Sequence, residues 1–144
     1  QTRGATMSTE QDNFAGMTAQ QKVKALILMR YRQWGNTVPE LTKETIDATW
    51  QNLQEMDNVR DAMNDIRSSG DSTGLPDRQW SRNYESDEVG AKLPDGSWVG
   101  WTHWHGGGKH GEPEAIDWIS DAYDIACTEE QKMVTVRSFA KVGA

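Results

Sequence analysis

The sequence predicts an α+β domain, and three observations carry that prediction. Apolar residues recur at steps of three and four through the first half of the chain. A Pro94-Asp95-Gly96 turn separates two strand-like runs in the second half. Between them lies the polar Ser- and Gly-rich stretch Ser68-Ser69-Gly70-Asp71-Ser72-Thr73-Gly74. Helices followed by a small antiparallel sheet is the α+β order.

The stretch from Gln1 to Gly16 is polar and aperiodic, and reads as a flexible segment ahead of a single domain over 17–144. Met7-Ser8-Thr9-Glu10 resembles a natural start, which would make Gln1 to Thr6 added sequence. Thr18 and Gln21 fit a capping box. Val23, Ile27, Tyr31 and Trp34 then recur at helical spacing, widened by Leu26 and Met29, until Gly35-Asn36 stops the helix. The first helix is expected over about 18–35.

Thr42 can cap a second helix over about 42–68, carried by Ile46, Trp50, Leu53, Met56, Val59, Met63 and Ile66. Their mean step is about 3.3, shorter than the 3.6 of a straight α-helix. That predicts a break near Asp57-Asn58, with Asp57 capping the second piece. The Ser/Gly stretch, about 68–76, reads as a flexible connector.

Glu88–Leu93 and Ser97–His105 flank the proline turn and predict a hairpin. Tyr123–Cys127 and Met133–Phe139, on either side of Thr128-Glu129-Glu130-Gln131, predict a second one. Glu112–Ser120 suits either a helix start at Pro113 or a strand face bearing Ile116, Trp118 and Ser120.

Composition narrows the function classes. Leu, Ile, Val and Phe supply only 22 of 144 residues, so the 7 Trp and 6 Met must help build the core. No apolar run of about 18 residues occurs, and no export signal is read, so no membrane association is expected. The lone Cys127 excludes an internal disulfide, a CxxC pair and a thiolate zinc ribbon. Its acidic flanks suit a small core or strand-end residue in a reducing, cytoplasmic setting. A net charge of −7 argues against a nucleic-acid partner. The charge is uneven. Residues 13–39 hold four cations and no acid, whereas residues 112–130 hold seven acids and no Lys or Arg.

Chemistry concentrates between Trp98 and Glu114. On a strand, Val99, Trp101, His103 and His105 share one face, and Trp98, Gly100, Thr102 and Trp104 the other. His103 and His105 could reach one metal ion with His110 as third ligand. Zinc there would polarise a water, and Glu112 or Glu114 would take its proton, giving a metal-dependent hydrolase. A phosphate loop needs Gly where His103 stands and Ser or Thr where His110 stands, so Gly106-Gly107-Gly108-Lys109 reads as a mobile loop. No G-x-S-x-G, H-E-x-x-H or dinucleotide fingerprint is present.

The indoles admit two readings. Trp98, Trp101, Trp104 and Trp118 replace missing Leu and Ile in the core, or they form a platform for a sugar, another small molecule or a partner. The expected function is non-enzymatic binding of another macromolecule, a protein, as an accessory protein or inhibitor of a phage or mobile element. Its expected contact residues are Trp98, Trp101, Trp104, His103, His105, Lys109, His110 and Glu112, with Trp101 and Trp104 as anchors and no cofactor. The alternatives are the zinc hydrolase and the tryptophan platform.

Overall fold

The computed structural model describes residues 12–143. Three helices, α1 (Ala19–Gln33), α2 (Ile46–Leu53) and α3 (Asp57–Ser69), precede an antiparallel sheet. Its strands β1 (Asp71–Ser72), β2 (Glu85–Lys92), β3 (Trp98–His105) and β4 (Tyr123–Ile125) lie in the order β1-β2-β3-β4. The α+β expectation holds.

The capping box at α1 is present. Thr18 Oγ1 accepts from the Gln21 amide at 3.1 Å, and Gln21 Oε1 accepts from the Thr18 amide at 2.9 Å. Val23, Ile27, Leu28 and Tyr31 are buried, but Trp34 is exposed because the helix closes one residue before it. The short apolar step marks a real break, and it splits the expected 42–68 helix into α2 and α3. The caps differ from expectation. Thr42 and Thr45 exchange hydrogen bonds in a turn, so α2 starts only at Ile46. Asp57 is not a cap but the first residue of α3, after Met56, where its charge meets the helix N-terminus.

Within the segment read as flexible, residues 1–11 lie outside the described ones, whereas residues 12–16 are tied down. Asp12 pairs with Arg32 at 2.8 Å and accepts the Leu41 amide, and Phe14 is buried. The expected connector also contributes structure. Asp71 and Ser72 pair with Gly90 and Val89 as β1, and the Thr73 amide and hydroxyl both donate to the Glu88 carbonyl.

β2 and β3 form the predicted hairpin, with Val89 opposite Trp101 and Glu88 opposite Thr102. At its turn Gly96 takes φ +92°, and the Ser97 hydroxyl holds the Asp95 carboxyl below the usual carboxylate range. Alternation gives the sheet an inner face, Val89, Ala91, Val99 and Trp101, which packs with helix residues into one core. Trp101 joins the layers. Its indole Nε1 donates to the Arg67 carbonyl at 3.1 Å, and its ring centroid lies 5.3 Å from that of Trp118. A side chain on Gly70 would come within 2.9 Å of Trp101 and Val89, so the chain leaves α3 on a glycine.

Three readings change at the C-terminal end. Tyr123–Ile125 forms β4, but no strand occurs over Met133–Phe139 and the second hairpin is absent. Val134 and Val136 stand exposed, and the helices already cover the apolar part of the inner sheet face. Cys127 is exposed two residues past the end of β4, so the core reading fails and the strand-end reading is the one left. Glu112–Ser120 is neither a regular helix nor a strand but a single 3-10 turn at Pro113–Ala115, followed by the buried Trp118. No helix among the described residues is long and apolar enough to cross a membrane.

Candidate interaction surface

The Trp98–Glu114 segment is split by the strand's alternation and by the end of α3. Trp101 is fully buried and Trp104 is 5% exposed, while Trp98 is half-buried opposite Ile125. The core reading of the indoles is therefore right for Trp101 and Trp118, and neither Trp101 nor Trp104 offers a face to a partner or a sugar. This removes the expected anchors.

Beyond α3, the inner face of β3 carries His103 and His105, with ring centroids 5.5 Å apart. His105 Nε2 lies 2.9 Å from Asp87 Oδ2. Burial lowers the His103 pKa below its ordinary 6.5, aided by Arg67 and His105 and opposed by Asp87. His110 sits in a separate 3-10 turn, Gly108–His110. Among the described residues no three His, Cys, Asp or Glu side chains are placed to hold a metal ion, so His103, His105 and His110 do not converge as ligands.

The lowered His103 pKa predicts an acid-sensitive fold. The unfolded chain binds the proton more readily, so the contribution of neutral His103 is complete above about pH 6.5 and declines as pH falls through that value. His103→Gln cannot protonate and should lose less stability than the parent between pH 7.5 and 5, as read from urea midpoints. An identical decline in the two proteins would overturn the assignment.

The outer sheet face holds a polar lock that sequence reasoning missed. Glu88, only 3% exposed, accepts from Thr102 Oγ1 at 2.8 Å, from Tyr123 Oη at 2.5 Å and from the Arg78 amide at 3.3 Å. Arg78 also stacks 4.0 Å from the Tyr123 ring centroid and donates to the Asp121 carbonyl. Burial, with the neighbouring Glu88 carboxylate, pushes the Tyr123 hydroxyl well above its ordinary pKa. Gln79 adds a 2.8 Å bond to Asp121 Oδ2.

This lacing ends at Trp80, which is 84% exposed. After Trp80 the chain turns on Ser81, whose hydroxyl accepts the Asn83 and Tyr84 amides. Tyr84 then joins this loop to the glycine loop. Its hydroxyl accepts the Glu112 amide at 3.2 Å, and a side chain on Gly107 would collide with its ring. Gly106, Gly107 and Gly108 all take positive φ, between +70° and +87°, a run that requires glycine. The loop is shaped by that run and carries the exposed Lys109 and His110 at its tip, with exposed Glu112 behind.

The glycine-loop end of the sheet carries His105, Lys109, His110 and Glu112, and the loop that Tyr84 joins to it carries Trp80 and Arg82, which the sequence reading passed over. The available signal was an indole between two arginines in a stretch with no apolar period. The chain matches no protein-family model, no curated protein and no solved structure.

Proposed function

We propose that this protein is a non-enzymatic binding protein that docks on another protein through the loop end of its sheet. The observation that carries this reading is Trp80, 84% exposed at the end of a loop laced to the sheet. An indole is the side chain most enriched at binding hot spots, and leaving one in water has no benefit to folding. Trp80 anchors, the glycine loop fits Lys109 and His110 to the partner's surface, and Glu112, Glu85 and Asp87 set charge preference. A protein partner suits this mixed polarity better than a nucleic acid, whose recognition needs a basic face. The single exposed Cys127 suits a reducing, cytoplasmic setting.

The test is site-specific photo-crosslinking in cells, with the reactive group placed at position 80 and, as control, at position 34. Trp34 is also an exposed indole, 47% accessible, but it lies at the end of α1. A discrete protein adduct from position 80, absent from position 34 and abolished by Lys109→Glu, is the expected result. Equal adducts from both positions, or none from position 80, would overturn the reading.

A further inference from the structure

We propose that the segment from Lys132 to Val142 is an exchange arm that adds a strand to the open edge of β4 in a second copy of this chain. The inference goes beyond the Trp80 reading and uses none of its residues.

The arm is apolar and uncovered. Met133, Val134, Val136, Phe139 and Val142 are from 77% to fully exposed, in a chain short of large aliphatic residues. Its centre, Val134-Thr135-Val136, is β-branched throughout and suits an extended strand. Among the described residues, Lys132 pairs with Glu130, and no other hydrogen bond or ion pair reaches the arm. A segment of this composition gains nothing from water on both sides.

The receiving edge is equally incomplete. β4 is three residues long, pairs only with β3, and closes the sheet on that side. An unpaired edge is a template for strand addition. Tyr123 reaches Glu88 on the outer face, whereas Asp124 pairs with Lys22 of α1 on the inner face. Side-chain alternation then fixes the pairing without fixing the register. If Val134 and Val136 lie on the face of Tyr123 and Ile125, Thr135 and Arg137 fall on the face of Asp124. The valines would extend an apolar strip beside a groove of about 300 Å³ lined by Leu75, Trp98, Ile125 and Cys127.

Charge selects a second copy. From Gln131 to Ala144 the chain carries Lys132, Arg137 and Lys141 and no acid, whereas residues 112–130 carry seven acids and no Lys or Arg. Of those acids, Asp121 and Asp124 stand at or beside the β4 edge, each with a carboxylate partly exposed to an incoming cation, so arm and edge are complementary within one sequence. The arm's own edge is not its target, because the connector leads away from it. Ala126, Cys127 and Thr128 share the groove with Asp71–Thr73 of the opposite edge, and Glu129 pairs with Lys92 at the end of β2.

The test uses the 144-residue chain in two isotopic forms, mixed and treated with a carbodiimide that joins lysine amines to carboxylates. Light scattering is expected to give a two-chain mass. Cross-links should join Lys132 or Lys141 of one isotope to Asp121 or Asp124 of the other. Ending the chain after Glu130, or V134K/V136K, should give single chains with an unchanged circular dichroism spectrum. A single-chain mass for the parent, cross-links confined to one isotope, or a dimer that survives loss of the arm would each overturn the proposal. None of these outcomes affects the crosslink expected from Trp80.

Discussion

Trp101→Ala should cost about 3–5 kcal/mol, the range for deleting a buried aromatic side chain. Two features place it at the upper end. The indole is fully enclosed between β3, α3 and Trp118, so its removal leaves a cavity bordered by regular structure that cannot collapse. It also removes the Nε1–H bond to the Arg67 carbonyl, where the last turn of α3 meets the sheet. Against a total stability of roughly 5–15 kcal/mol, that loss takes the domain close to unfolding at ambient temperature. Urea titration of Trp101→Ala, Trp101→Phe and Trp80→Ala provides the scale. The first should lower the midpoint by roughly 2 M, given slopes of about 1–3 kcal/mol per molar. Trp101→Phe keeps most of the ring but loses the indole donor, and should fall between. Trp80→Ala should not move the midpoint. If Trp101→Ala matched Trp80→Ala, the layer-joining role of Trp101 would be wrong.

The same indole shows how far the sequence could be read. Periodicity finds a buried face wherever one element packs against another along its whole length, which is why α1, the break before α3 and the β2–β3 hairpin were legible. A strand with tryptophans on both faces is outside that logic. Trp101 faces the helices and Trp104 faces the other way, yet both are buried, so alternation could not say which indoles a partner would meet. The helix limits erred where a local alternative competed with the expected cap: Thr42 exchanges hydrogen bonds with Thr45 in a turn, and Asp57 sits one residue inside its helix.

At the C-terminal end, local pattern and tertiary context part company. Met133–Phe139 has the composition of a strand and was read as half of a hairpin, but a strand needs a neighbour's edge and a surface to cover. In the single chain this segment pairs with no described strand and covers no described surface, because the connector carries it away from the edge of β4. The candidate surface was half legible. His105, Lys109, His110 and Glu112 were found as a cluster of polar types. Tyr84 and Glu88 were missed because their roles depend on contacts between residues 10 to 35 positions apart, such as those of Glu88 with Arg78, Thr102 and Tyr123, whereas Trp80 was missed because nothing periodic surrounds it.

Glu88 should matter to both stability and binding, and the two effects can be separated. Glu88→Ala leaves the Tyr123 and Thr102 hydroxyls and the Arg78 amide without their acceptor. Unsatisfied buried groups cost about 1–3 kcal/mol each, less what water entry recovers, so a loss of about 2–4 kcal/mol is expected in urea titration. Replacing the triad together, Glu88→Leu with Thr102→Val and Tyr123→Phe, removes the buried charge along with its two hydroxyl donors and should recover most of that loss. The loop should not recover. With no acceptor for the Arg78 amide, residues 75–83 lose a tether, and their amides should exchange with solvent faster in the triple variant than in the parent. Trp80 would then have to be ordered on binding rather than before it, which weakens a partner's affinity by about tenfold for roughly 1.4 kcal/mol of ordering cost. A triple variant that is stable, exchanges fast over residues 75–83 and binds weakly would make Glu88 the residue that positions the Trp80 anchor. If it bound as tightly as the parent, the lock would serve the fold alone, and Trp80 would need no pedestal.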